Sequence, residues 1–242
     1  VARTRLHNWA IAHGYSPHTP PSPAVIQTTA QTHSLQTYSN PHGHTLAIHL
    51  LAADAYTVAQ LLASTAPPVH ALIAHAFLDL VECRPLLSSL HPILDPAARL
   101  YCTINFDGLT VFEPPIDPEL DRTIEQLYHA TMDTRTVGGR PAGHSQTGRR
   151  LFHDLRATGY TVLDMGSSDW TVFPQPDGYA NEDAAFLHHI LDFVAGALTG
   201  HTALAPLALQ SWITARRNQI KTGELFYMAH QLDYLARPVQ SI

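Results

Sequence analysis

The chain has 242 residues, 45% hydrophobic and only 14% charged, enough apolar material for one full-sized core. Its formal net charge of −6 leaves no basic surplus to neutralise phosphates, which argues against nucleic acid as a partner. No apolar run reaches the roughly 20 residues of a membrane-spanning helix, so no membrane partner is expected either. The two cysteines, Cys83 and Cys102, form neither a disulfide framework nor a Cys-x-x-Cys pair, and a reduced, cytoplasmic setting is the expectation. Among the 17 histidines, the pairs His42/His44 and His188/His189 lack the i, i+4 spacing and flanking glutamate of hydrolytic zinc sites, and no metal is expected.

Residues 1–13 place Leu6, Trp9, Ala10 and His13 on one helical face, closed by Gly14. Residues 16–40, rich in Pro, Thr, Ser and Gln, read as a long surface excursion with the composition of a disordered segment. After the turn Asn40-Pro41-His42-Gly43 come a strand over 45–55, a short helix over 56–64, Pro67-Pro68, and a second strand over 69–80. The helix predicted over 84–94 carries Pro85 in its first turn, where the missing N–H costs nothing, and is ended or distorted by Pro92. Residues 98–105 read as a strand, followed by Asn105-Phe106-Asp107-Gly108, which suits either a turn or a ligand-facing loop.

Asp117-Pro118-Glu119 is a helix start, with a capping carboxylate, a proline at the first helical position and an acidic first turn. That helix buries Leu120, Ile124, Leu127 and Met132. The glycine-rich 137–148 carries Arg140, His144 and Ser145, and Thr147 caps a helix with core positions Leu151, Phe152 and Leu155. Residues 161–165 and 170–173 form one long or broken strand. Helices over 181–198 and 205–221 follow, the second closed by Gly223. In 225–235, Leu225, Tyr227 and Ala229 alternate like a strand, while Tyr227, Gln231 and Tyr234 also suit a helical face; the fold favours the strand. With no repeat and no linker composition, 1–242 reads as a single domain.

Buried strands alternating with helices imply an α/β, doubly wound, mostly parallel sheet, and such sheets bind ligands beyond the carboxyl ends of their strands. That rule selects Asp54, residues 75–79 and residues 105–107. On Ala52-Ala53-Asp54-Ala55, Ala74-His75-Ala76-Phe77-Leu78-Asp79 and Gly166-Ser167-Ser168-Asp169-Trp170 followed by two helices and a last strand, the chain resembles the class I, Rossmann-like S-adenosylmethionine-dependent methyltransferases over nearly its whole length. The resemblance implies that 45–55, 69–80 and 99–105 are strands three, four and five. It implies a helical pair (181–222) inserted as a lid before an antiparallel last strand. It also implies that strand one with its glycine-rich loop, and strand two with its acidic residue, precede Val1, about 60 residues from the ~30-residue size of one strand-helix unit.

Under this resemblance S-adenosylmethionine is the cofactor, contacted by Asp54, Ala55, His75, Ala76 and Phe77, with Asp54 accepting from the adenine amino group. Substrate contacts fall to Asp79, Asn105, Asp107, Arg140, His144 and Trp170, and His75 is the candidate general base. Arg135, Arg140, His144 and Arg149 together suggest a small or medium-sized, acidic acceptor. Each residue also has a plainer reading: Asp54 and Asp79 as caps, His75 as a hydrogen-bonded wall, Trp170 and Phe173 as core. Two other functions share the same sheet, a nicotinamide-dependent oxidoreductase and a methyltransferase-like scaffold without catalysis.

Overall fold

The computed structural model describes residues 2–17, 32–63 and 68–239. Its contacts divide the chain into two compact units, Val1–Val69 and His70–Ile242, where the sequence reads as one domain.

In the first unit, α1 (Ala2–Ala12) precedes β1 (Ser16–Pro17), β2 (Thr32–Ser39), β3 (Thr45–Ala52) and α2 (Ala55–Ala63). The side chain of Asn40 accepts the backbone N–H groups of His42 and His44, both at 3.0 Å, and Gly43 takes φ 81°. This turn folds β3 back on β2 in antiparallel register, from Thr32 opposite Ala52 to Ser39 opposite Thr45. Two expectations are thereby corrected. The surface excursion contributes two strands, β1 and β2, and the strand after it belongs to the three-stranded sheet β1-β2-β3 rather than to the sheet that contains 69–75. The rest of the excursion, 18–31, and residues 64–67 with the expected helix end Ser64 lie outside the described residues.

The larger sheet is α/β in kind and mixed in direction, with helices on its connections. Its strands are β4 (Val69–His75), β5 (Leu94–Glu113), β8 (Tyr160–Ser167), β9 (Trp170–Val172) and β10 (Phe226–Pro238). They run in the order β4-β5-β10-β8, with β9 also on β10. The chain passes from β4 to β5 through α3 (Cys83–Leu90), a helical crossover of the kind that parallel neighbours require. The last strand, β10, runs antiparallel to β5 on one side and to β8 and β9 on the other. The expected broken strand is thus β8 and β9, which pair with successive parts of β10. Along β10, Tyr227, Ala229, Tyr234 and Ala236 are buried, the alternation that favours a strand over a helix.

Local chemistry sets the remaining elements. Asp117 caps α4 (Pro118–Asp133) by accepting from Glu119 N at 3.0 Å and Leu120 N at 3.2 Å. Pro92 shortens α3, and 91–93 continue as a 3-10 turn. The strand over 69–80 ends at His75, because Ala76 turns at φ 47° into a 3-10 turn at Leu78–Leu80. A two-residue hairpin, β6 (Thr136–Val137) with β7 (Arg140–Pro141), precedes α5 (Thr147–Ala157). Thr147 opens α5 from inside the helix, its hydroxyl donating to His144 O at 2.7 Å instead of capping. Residues 105–108 lie within β5, which runs on to Glu113 because β10 pairs with it on both sides of a register shift, at Asn105 and Phe106 and again from Thr110 to Glu113. The irregularity is absorbed at Ile104 (φ 61°), at Gly108 (φ 74°) and in two register shifts.

The expected helical pair is present as α6 (Asp183–Leu198) and α7 (Pro206–Thr222), inserted between β9 and β10 and ended by Gly223 at φ 68°. Leu187, Leu191, Val194 and Leu198 of α6 pack with Trp212, Ile213 and Ile220 of α7, Ile124 of α4, and Tyr227 and Ala229 of β10. Inside this core Arg216 is 0% exposed and pairs with Asp121 at 2.6 Å. It also donates to Pro114 O at 2.7 Å and lies over the Trp212 ring at 5.2 Å. Trp212 Nε1 donates to the same Asp121 oxygen, which ties α7 to the start of α4. Removing one partner of a buried pair strands the other. Arg216→Met is therefore expected to destabilise the protein by about 3–5 kcal/mol, read as a lowered urea midpoint.

Candidate functional site

Beyond the end of β4, the sheet brings several predicted residues onto neighbouring strands. His75 is exposed; its Nδ1 meets the hydroxyl of Thr103 on β5, and its ring lies edge-on to Tyr101 at 6.1 Å. Ala76 N donates to Thr103 O at 3.0 Å, which fixes the left-handed turn, and Phe77 is half-buried behind it.

Asn105 is fully buried on β5. Its amide donates to Leu232 O at 2.7 Å, while its Oδ1 has no hydrogen-bond partner. Asp107 is also buried, and Arg149 saturates it: the Arg149 backbone N–H donates at 2.6 Å and its Nε reaches both carboxylate oxygens at 3.0 Å. These two residues were expected to face substrate from a loop. They instead lie within β5, Asn105 opposite Leu232 with its amide bonded, and Asp107 at the register shift with its charge compensated.

The bulged part of β10 supplies a group that the predicted set lacks. His230 Nδ1 donates to Asp169 at 2.6 Å, and Nε2 stands 3.9 Å from Asp107. Asp169 occupies the break between β8 and β9, and His230 sits at the register shift between Ala229 and Gln231. Consecutive polar residues, His230 and Gln231, interrupting an otherwise apolar alternation were the available signal. Next to Asp169, Trp170 stacks on Phe186 of α6, with ring centroids 4.5 Å apart at 9°, and is 44% exposed. It is therefore part of a wall against the helical pair.

The third group lies on the 135–145 loop. Arg135 donates to Ala142 O at 2.7 Å and to Asp79 O at 3.0 Å. Burial raises the carboxyl pKa of Asp79 above its ordinary value, partly offset by Arg135, and Asp79 Oδ1 has no hydrogen-bond partner. His144 accepts from Gln146 N at 3.0 Å and lies 3.2 Å from Asp133; burial and Arg150 lower its pKa, partly offset by that carboxylate. Arg140 is exposed on the β6–β7 hairpin. Asp54 and Ala55 lie in the first unit, where Asp54 accepts Tyr56 N at 2.8 Å as the cap of α2. Asp54 follows β3, a strand of the sheet β1-β2-β3 and not of the larger sheet. Among the described residues no three His, Cys, Asp or Glu side chains converge as metal ligands. No described helix is long and apolar enough to cross a membrane.

No protein-family model and no curated protein matches the chain. Solved structures do match. A protein assigned as a methyltransferase from Bacillus halodurans is 9% identical over 72% of this chain and 66% of its own, with a TM-score of 0.37. One assigned as a type II methyltransferase from Anaeromyxobacter dehalogenans is 17% identical over 78% and 71%, with a TM-score of 0.41. Phosphoethanolamine N-methyltransferase 2 of Haemonchus contortus, solved with phosphomonomethylethanolamine and S-adenosylhomocysteine, is 8% identical over 71% of this chain and 34% of its own, with a TM-score of 0.29. The match thus spans less than two thirds of the first and last of these proteins.

Two outcomes are expected from this geometry. A methyl group on Gly148 would stand 2.8 Å from the Asp107 Cβ and 2.9 Å from Asn105 O. Gly148→Ala should then cost about 1–3 kcal/mol of stability by overpacking, measured by urea denaturation. For Asp79 the folded pKa lies above the unfolded one, so its contribution is most favourable at acid pH and is lost as pH rises through the folded value. Asp79→Asn should therefore stabilise the protein at pH 7. The gain should fade as pH falls into the ordinary carboxylate range, as followed by melts across pH.

Proposed function

We propose that this chain transfers a methyl group from S-adenosylmethionine to a small or medium-sized acceptor. The observation that carries the reading is the strand order β4-β5-β10-β8, with the reversed strand between its neighbours and a helical pair inserted just before it. That is the order in which strands four, five, seven and six of the class I methyltransferase pattern would lie.

Within the larger unit, the residues that suit the cofactor are His75, Ala76 and Phe77. Ala76 turns the chain across the strand end at φ 47°, leaving an exposed imidazole and a half-buried aromatic ring on the turn. When bound, S-adenosylmethionine supplies a methyl group already activated on a sulfonium, so alignment provides much of the rate. The chain's part is then to orient the acceptor and exclude water beneath α6 and α7, with the stacked Trp170 and Phe186 as one wall. His230, its Nδ1 held by Asp169, offers Nε2 to take the acceptor's proton as methyl transfer proceeds. His75, tied to Thr103, is a wall residue in this scheme.

Of the groups expected to hold an acidic acceptor, Arg149 is committed to Asp107 and Arg135 to two carbonyls. A cytoplasmic setting fits the two buried, unpaired thiols, Cys83 and Cys102, each with its pKa pushed up to about 12 by burial.

Calorimetry on the full natural protein tests the reading. S-adenosylhomocysteine should bind saturably and NADH should not, and Phe77→Ala should weaken S-adenosylhomocysteine about tenfold through lost apolar contact. Binding of NADH in its place, or of neither ligand, would remove the methyl-transfer reading.

A further inference from the structure

A cavity of about 360 Å³ lies beneath the helical pair, bounded by β5, α4, α6 and α7. It falls within the size range of small-molecule sites. Its apolar lining includes Leu109, Ile124 and Val194, and its aromatic lining is Phe112, Tyr128 and Trp212. Five ionisable side chains other than Tyr128 reach it: Glu113, Asp121, Arg122, Glu125 and Arg216.

These charges are not equivalent. Asp121 and Arg216 neutralise each other at 2.6 Å. Glu113 and Arg122 are exposed. Glu125 is half-buried and accepts one hydrogen bond, from Thr110 N at 3.2 Å. No described cation lies within ion-pair distance of it. Burial raises its carboxyl pKa, offset only by that hydrogen bond. A carboxylate drawn partly out of water is costly alone, and a cation bonded to it in a cavity that Tyr128 also lines would offset that cost through a charge-assisted hydrogen bond and cation–π attraction, whereas the Phe112 ring already carries the Arg216 guanidinium at 5.5 Å and offers apolar contact.

We propose that this cavity binds a cationic amine with a compact apolar or aromatic body, its ammonium group on Glu125 and its body against Phe112 and Tyr128. As the acceptor subsite of the enzyme, this assignment rests on the methyl-transfer reading; as a binding site, it stands on the cavity alone.

The test uses three small probes of matched shape on the full natural protein, without cofactor: 2-phenylethylamine, 2-phenylethanol and 3-phenylpropionate, each titrated by NMR. The amine should bind at least tenfold more tightly than the other two, with intermolecular NOEs to Tyr128 and Phe112. Glu125→Gln keeps an acceptor for Thr110 N and should weaken the amine at least tenfold while leaving the alcohol unchanged. Tyr128→Leu should weaken the amine independently of that acceptor. Equal binding of amine and alcohol, preference for the acid, no binding of the amine, or indifference to both variants would overturn the proposal. S-adenosylhomocysteine titrated into the same sample separates the two readings. Amine binding without S-adenosylhomocysteine binding removes methyl transfer and keeps the cavity assignment; the reverse keeps methyl transfer and removes the cavity assignment.

Discussion

The larger unit depends on the two-sided pairing of β10. This last strand lies between β5 and β8/β9 and is antiparallel to both. Outside its register shifts, its backbone finds partners on both sides only because the chain returns to the centre of the sheet after α7. The consequences reach the site directly. Because β10 reaches past the end of β8 to Phe226, β5 can run on to Glu113, and Asn105 and Asp107 are drawn into the sheet instead of a loop. Where the paired strands fall out of register, the sheet turns polar side chains outward, and His230 meets Asp169 there.

Charge is handled in two ways in the same unit. Asp107 with Arg149 and Asp121 with Arg216 are compensated pairs that hold elements together: α5 onto β5, and α7 onto α4. Glu125 and Asp79 are carboxylates whose pKa burial raises and whose surroundings do not fully answer them. Groups of the first kind serve stability, since half of each pair left alone would be costly. Groups of the second kind are what a ligand site retains, because a pre-arranged uncompensated charge is available to whatever binds.

Local rules made much of this legible from sequence. The Asp117-Pro118-Glu119 start of α4, the shortening of α3 at Pro92, Gly223 after α7 and the alternation in β10 each follow from a few neighbouring residues, and each is present in the structure. The failures share one cause, pairing between segments distant in sequence or masked by composition. A Thr- and Ser-bearing stretch read as an excursion became β2, because Asn40 could turn β3 back against it. The Asn-Phe-Asp-Gly segment is turn-like in isolation, yet β10, more than a hundred residues later, pairs with Asn105 and Phe106 and keeps the segment within β5, with Gly108 at φ 74° in the register shift. The polar pair His230-Gln231 marks an interruption of β10 in sequence, but that His230 meets Asp169 needs the register of two strands and not the sequence of either.

The most direct measurement is a crystal structure of the full natural protein grown with S-adenosylhomocysteine. The account predicts the ligand's density against the turn His75–Phe77 beyond the end of β4, with its sulfur facing the space covered by α6 and α7. Density on another face of the sheet, with the His75–Phe77 turn bare in the same crystals, would contradict it.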